Sequence, residues 1–183
     1  MRIISGQYKG RRITLPKGVT ARPTSDRIRE SLFSVLHNRI QASRVLDLFA
    51  GSGLFGMECL SRGASYATFC DKDRRSARNI ASLLETFGVE TSSYDVNSMD
   101  YERLLERLTA RGEQYDLVYI DPPYQSDYYE KALTAMDELL ADDGLVLCET
   151  ERRKTLPETV GSLKMIDRRV YGNTAICIYD RER

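Results

Sequence analysis

The residues best suited to chemistry are Asp121, Pro122, Pro123 and Tyr124, which follow the apolar run Tyr115-Asp-Leu-Val-Tyr-Ile120. That run reads as a buried strand, so the four residues stand at its carboxyl end. Two consecutive prolines remove two backbone donors and fix two φ angles, leaving the Asp121 and Pro122 carbonyls as stiff acceptors. A corner of this kind suits a ligand that donates hydrogen bonds. The exocyclic amine of a nucleobase is one, and it is a poor nucleophile because its lone pair is delocalised into the ring. The Asp121 carboxylate and the Pro122 carbonyl can accept both amine hydrogens and draw them out of the ring plane, while Tyr124 stacks on an extruded base. Such chemistry requires neither a covalent intermediate nor a metal.

A second group lies earlier, in Leu46-Asp-Leu-Phe-Ala-Gly-Ser-Gly-Leu-Phe-Gly56. Gly51, Gly53 and Gly56 make a GxGxxG between a strand and a helix, and Asp71 falls twenty residues past Gly51. Read by spacing alone, this is a dinucleotide fingerprint, and a nicotinamide oxidoreductase is one reading. Asp47 argues for another. A pyrophosphate at a helix N-terminus favours neutral or positive surroundings, whereas a carboxylate at Asp47 suits a ligand carrying an ammonium and a sulfonium. S-adenosylmethionine has both, and Asp71 serves the ribose hydroxyls of either cofactor. The single histidine, His37, lies in a predicted helix, which leaves a Ser-His-Asp relay or a histidine-rich metal site little to draw on. The HxE and PCxxC pattern of zinc deaminases is absent.

The elements that must position these groups follow from periodicity. From Arg44 onward, short apolar runs alternate with helical patterns: RVLDLF and a helix near 54–62, ATFCDK and a helix near 73–87, VETSSY and a helix near 100–111, YDLVYID and a helix near 127–141, then GLVLCET. This alternation predicts βαβ units and a parallel sheet covered on both faces. The segment SLKMIDRRVYGNTAICIYDR reads as two antiparallel edge strands joined at Gly172-Asn173. At the start, RIISGQYKGRRITL reads as a small basic hairpin, followed by a helix with Ile28, Leu32, Val35, Leu36 and Ile40 on one face. In such sheets ligands bind beyond the carboxyl ends of the strands, where Asp47 to Gly53, Asp71, Asp95 and Asp121 to Tyr124 are expected.

At 183 residues, 42% hydrophobic and 30% charged, the chain has the size and composition of one soluble domain. Residues 1–20 are expected to form the basic hairpin appendage and 21–183 the core. No apolar run is long enough to span a bilayer and the N-terminus lacks a signal peptide's apolar core, so a cytoplasmic protein is expected. Cys59, Cys70, Cys148 and Cys177 form no CxxC pair and are expected to be buried, reduced thiols. The net charge is zero, yet residues 1–45 hold ten Lys or Arg against Asp26 and Glu30, a local charge of +8. That end is a footprint for a polyanion such as nucleic acid, or else a solvated face.

The order RPTSDRIRESLFSVL, VLDLFAGSGLFGMECLSRGA, FCDKDRRSARNI, DLVYIDPPY, RRVYGNTAICIY resembles the RsmD family of bacterial methyltransferases over nearly the whole chain. The resemblance implies a Rossmann-like class I methyltransferase fold, an α/β architecture with a seven-stranded, mostly parallel sheet, helices on both faces and an N-terminal β-hairpin. It implies methyl transfer from S-adenosylmethionine to the exocyclic N2 of one guanine in 16S ribosomal RNA, acting on naked RNA or on an assembled or assembling small subunit. By position, Phe49, Ala50, Gly51, Ser52 and Gly53 would line the methionine end of the cofactor with Asp47 nearby. Asp71 would hold the ribose, and Asp95 with Val96 the adenine. Asp121, Pro122, Pro123 and Tyr124 would form the target-amine site. Arg22, Thr24 and Arg27 would border the pocket, and Arg2, Lys9, Arg11 and Arg12 would bind RNA. No metal and no membrane are implied, and a monomer is expected. Two positions depart from the family pattern: Asp71 stands where glutamate is common, and Asp95 lies in YDVNSMD where a GDA-like sequence is usual. Two rival functions fit the same residues: a DNA amino-methyltransferase acting on adenine N6 or cytosine N4, and an RNA-binding ribosome assembly factor with a vestigial cofactor site.

Overall fold

A computed structural model describes residues 1–20, 24–123 and 127–181. Its centre is a sheet of strands β1 (Arg44–Asp47), β2 (Tyr66–Cys70), β3 (Tyr94–Asn97), β4 (Tyr115–Ile120), β5 (Leu140–Glu151), β6 (Thr159–Val160), β7 (Leu163–Tyr171) and β8 (Thr174–Arg181). Their order is β3-β2-β1-β4-β5-β8-β7-β6. The first five strands pair in parallel and the last three antiparallel. The short β6 makes the described sheet eight-stranded where seven strands were expected. Its two residues carry no periodicity a sequence could show.

Helices α1 (Asp26–Val35), α2 (Leu54–Ser61), α3 (Arg74–Phe87), α4 (Tyr101–Ala110) and α5 (Tyr128–Leu139) cover both faces. Alternation along the strands sorts the core. Val45 and Leu117 pack with Leu32, Phe55 and Ile80 from α1, α2 and α3. Leu46 and Val118, one residue on, pack with Leu104 and Leu133 from α4 and α5. Local chemistry sets the helix ends: Ser25, Asp73 and Asp100 accept from backbone N–H groups in the first turns of α1, α3 and α4, and Gly88 closes α3 at φ +73°. Gly172, at φ +59°, makes the tight β7–β8 turn. The four cysteines are buried and free.

The N-terminal segment folds back on itself as a short hairpin. Around the antiparallel bridge of Arg2 with Arg12, Ile3 N donates to Arg11 O at 3.0 Å, Ile13 N to Met1 O at 2.9 Å and Gly10 N to Ile3 O at 2.9 Å. Side chains anchor it to the domain: Ile3 and Ile13 enter the core at 2% exposure each, and the buried Glu58 carboxylate of α2 accepts from Ile4 N and Ser5 N at 2.9 and 3.0 Å. A carboxylate has replaced a neighbouring strand as the partner of those donors.

Candidate active site

Strand order reverses between β1 and β4, whose following loops separate there, with Leu48 N–H donating to Tyr119 O at 3.1 Å. A cleft of about 390 Å³ opens at this end of the sheet. It is lined by Phe49, Ala50, Gly51 and Ser52 after β1, Asp71, Lys72 and Asp73 after β2, and Met99, Asp100 and Tyr101 after β3. Asp121, Pro122 and Pro123 after β4, and Glu149 near the end of β5, complete the inner wall. Val19, Thr20 and Thr24 also line the cleft.

The glycine loop is built around Asp71. Its Oδ2 accepts from Gly51 N and its Oδ1 from Asp73 N, both at 2.8 Å, tying the first loop to the second. Burial raises the Asp71 carboxyl, against the lowering pull of the Asp73 and Gly51 N–H groups. Gly53 is the N-cap of α2 at φ +75°, and a Cβ there would meet Ile80 at 2.9 Å. It is buried beneath the loop and forms no part of the cleft wall.

Asp47 also lies beneath the loop, 1% exposed, and does not face the cleft as its type had suggested. Its Oδ2 accepts from Gly56 N at 3.1 Å. Because the N-cap Gly53 has no side chain, Asp47 supplies the missing acceptor to the first turn of α2 from nine residues away. Burial pushes its carboxyl up to about 7; the Gly56 N–H opposes the rise and Asp71 adds to it. In the unfolded chain an aspartate titrates near ~4. Below that value both states hold the proton; above it the unfolded chain releases its proton first, so stability drains away as pH rises to about 7. Asp47→Asn, which keeps an acceptor for Gly56, should therefore gain melting temperature relative to the parent as pH is raised from about 5 to about 8. A pH-independent difference between the two melting curves would contradict this.

The third strand is the main register error of the sequence reading. It is Tyr94–Asn97, and Thr91–Ser93 before it form a short 3-10 turn. Asp95 and Val96 are thus inside the strand rather than after it, and neither lines the cleft. Asp95 accepts from Asn97 Nδ2 at 3.0 Å and pairs with Arg107 at 3.7 Å. Met99, Asp100 and Tyr101 occupy the cleft wall instead. The Tyr101 ring packs against Phe49 (5.0 Å between centroids) and Tyr128 (4.9 Å), and the Phe49 and Tyr128 rings are parallel at 6.0 Å. This aromatic wall was not read from the sequence, because its members come from three separate connections.

Asp121 is half-buried, Pro122 buried and Pro123 exposed. Tyr124 and Arg22 lie outside the described residues. Beside Asp121 stands Glu149, 3% exposed, which accepts from Thr24 Oγ1 at 3.0 Å and from the Tyr119 hydroxyl. Tyr119 is held by stacking on Phe55, 4.2 Å between centroids. Glu149 was missed, although a lone acid within the apolar run GLVLCET was the available signal.

The basic residues divide. Arg29 is buried and pairs with Asp26, and Arg44 pairs with Glu113, so part of the local +8 is structural. Arg2, Lys9, Arg11, Arg12 and Arg27 are exposed. The turn bearing Lys9 lies far from the cleft: Gln7 N and Tyr8 N donate to Ser61, and Tyr8 stacks on Phe87, at the carboxyl ends of α2 and α3. A 14-residue α3 separates that end from the cleft by about 21 Å. A second exposed basic pair, Arg152 and Arg153, follows β5, and Arg168 of β7 donates to Arg152 O.

This sheet order, with an acidic strand end beside a glycine loop at the reversal point, defines a Rossmann-like class I methyltransferase, a class whose methyl donor is S-adenosylmethionine. The family model described as "Conserved hypothetical protein 95" matches residues 1–180. The chain is 38% identical over 183 residues to the YlbH protein of Bacillus subtilis, covering 99% of each. It is 33% identical to the Ribosomal RNA small subunit methyltransferase D of Escherichia coli strain K12, covering 100% of this chain and 90% of that one. The solved yhhF protein of Escherichia coli superposes with a TM-score of 0.87 at 31% identity, over 100% of this chain and 98% of that one. The chain belongs to this family, the RsmD family of methyltransferases.

Proposed function

We propose that the protein transfers a methyl group from S-adenosylmethionine to the exocyclic N2 amine of a guanine in 16S ribosomal RNA. One observation carries the reading: Asp121 and Pro122 share a single cleft with Gly51, Ser52 and Asp71, so amine acceptors and a cofactor loop face one space. Membership of the RsmD family and the name of the Escherichia coli relative support a ribosomal RNA substrate over DNA.

The residues present suit the cofactor. A cleft of about 390 Å³ falls in the range of small-molecule sites, roughly 300–1,000 Å³. An ionised carboxylate offers about four acceptor positions, and at Asp71 the Gly51 and Asp73 N–H groups use two. Asp71 lines the cleft, and its remaining positions suit a ribose diol. Met99 and Tyr101 supply an apolar wall for an adenine ring. When bound, S-adenosylmethionine supplies an electrophilic methyl group on a sulfonium.

Asp121 and the Pro122 carbonyl accept the two amine hydrogens of the extruded base and turn its lone pair across the cleft. Positioning of this kind contributes up to roughly 7–11 kcal/mol in well-oriented systems. The test is transfer of labelled methyl to unmodified small subunits, naked 16S RNA and DNA, followed by nucleoside analysis. Label recovered as N2-methylguanosine in RNA is expected; label in DNA adenine or cytosine, or none despite cofactor binding, would overturn the reading. Such a substrate also implies action in the cytoplasm, where ribosomes are assembled.

Arg2, Lys9, Arg11 and Arg12 bind the phosphate backbone, Lys9 at a distance from the reaction. Replacing Lys9, Arg11 and Arg12 with alanine should weaken binding of long RNA and lower its salt dependence by about one unit per lost contact, without changing cofactor affinity. Filter binding across a salt series measures both. An unchanged salt slope would remove these residues from the interface.

A further inference from the structure

Glu149 is a carboxylate in an otherwise apolar stretch of β5, 3% exposed, and it nevertheless lines the cleft. An ionised group in such a place is expensive unless donors satisfy it. Two do: Thr24 Oγ1, at 3.0 Å from Oε2 and 3.3 Å from Oε1, and the Tyr119 hydroxyl at Oε2. The β4–β5 register ends with Ile120 paired to Cys148, so Asp121, the first residue past β4, follows directly beside Glu149 of β5. Neighbouring strands lie about 4.8 Å apart. Two acceptor groups therefore sit laterally along one wall, Oε2 of the second fastened by hydroxyls and Oε1 engaged more weakly.

Among the amino-bearing nucleobases, guanine alone carries a ring N–H next to the exocyclic amine: N1–H lies beside the N2 amine. The N6 amine of adenine is flanked by the N1 acceptor, and the N4 amine of cytosine by the N3 acceptor. A carboxylate is an acceptor only. Placed next to the amine site, it complements guanine and repels the other two.

We infer that Glu149 reads guanine N1–H and is the residue that sets the base specificity of methyl transfer, with Tyr119 and Thr24 as its positioning residues. The inference rests on the guanine-N2 reading above. Tyr119, stacked on Phe55, fixes the carboxylate from within the sheet. Thr24, just ahead of α1, fixes it from a distant part of the chain.

The test uses RNA in which the target guanine, located by mapping the labelled fragment of the methylated RNA, is replaced by 2,6-diaminopurine. The analogue keeps the 2-amino group but has an unprotonated N1. The parent enzyme should methylate it with a kcat/KM about 100-fold lower than guanine. In Glu149→Gln, Tyr119 and Thr24 hold the amide oxygen, so its NH2 takes the Oε1 position and can donate to N1 of the analogue. That variant should lose activity on guanine, gain on diaminopurine, and bind cofactor as the parent does. Parent enzyme that uses both RNAs equally well overturns the inference even if the variant fails to fold. A folded variant that keeps the parent's preference for guanine overturns it as well. Failure of the parent to form N2-methylguanosine at all refutes the underlying reaction instead, and with it this inference.

Discussion

Asp121→Ala is expected to bind S-adenosylmethionine as tightly as the parent and to transfer methyl groups at least about 1,000-fold more slowly. The scale comes from sites where one preorganised hydrogen-bond partner of developing charge is removed, which costs roughly 100- to 1,000-fold in kcat. Asp121 has the further task of orienting the nucleophile. As the amine attacks it becomes cationic, so a carboxylate accepting its hydrogen stabilises the transition state more than the bound substrate, and the loss belongs in kcat. The cofactor side of the cleft is built from other strands: Gly51 and Ser52 follow β1 and Asp71 follows β2. Binding and chemistry are therefore separable. Asp121→Asn retains one acceptor oxygen and should fall between the two proteins. Calorimetry of cofactor binding beside single-turnover transfer distinguishes the outcomes, and an alanine variant with parental turnover would remove Asp121 from the mechanism.

How far the sequence revealed this site depends on where each residue's partner lies. β1 and β4 were legible because burial on both faces makes them nearly continuous apolar runs, and their ends carry Asp and Gly or Pro, which mark strand ends. β3 was not, because it is an edge strand: Tyr94, Asp95 and Val96 are only partly buried, so the preceding VETSSY carries as much apolar signal as the true strand. The error displaced the third loop of the cleft and hid Met99, Asp100 and Tyr101. Asp47 was recognised as special, but its partner, Gly56 N, is a backbone group nine residues on, which residue types cannot reveal. Glu149 depends on Thr24, 125 residues away, and only the folded chain brings them together. The N-terminal segment shows the same limit. Its alternation marks the hairpin, but not that the donors of Ile4 and Ser5 go to Glu58 on a helix.

The second large effect concerns affinity. Asp71→Asn should raise the dissociation constant for S-adenosylmethionine by about 100-fold, close to 3 kcal/mol, while kcat at saturating cofactor changes little. Both Asp71 oxygens already accept from backbone donors, Gly51 N and Asp73 N. An amide offers one oxygen, so its NH2 must face one of those N–H groups, and the glycine loop loses a tie at the moment the ribose loses an acceptor. Hydrogen bonds to a charged partner contribute roughly 1.5–3 kcal/mol each, so losing one or two accounts for the predicted change. Asp71 sits at the end of β2, two strands away from Asp121, across the point where strand order reverses. Its loss should therefore appear in binding alone, the reverse of the Asp121 pattern. Calorimetric titration with the cofactor measures it directly. Unchanged affinity in a folded Asp71→Asn protein would mean that this carboxylate clamps the loop without touching the ligand, and the ribose would have to be held by another group on the cleft wall.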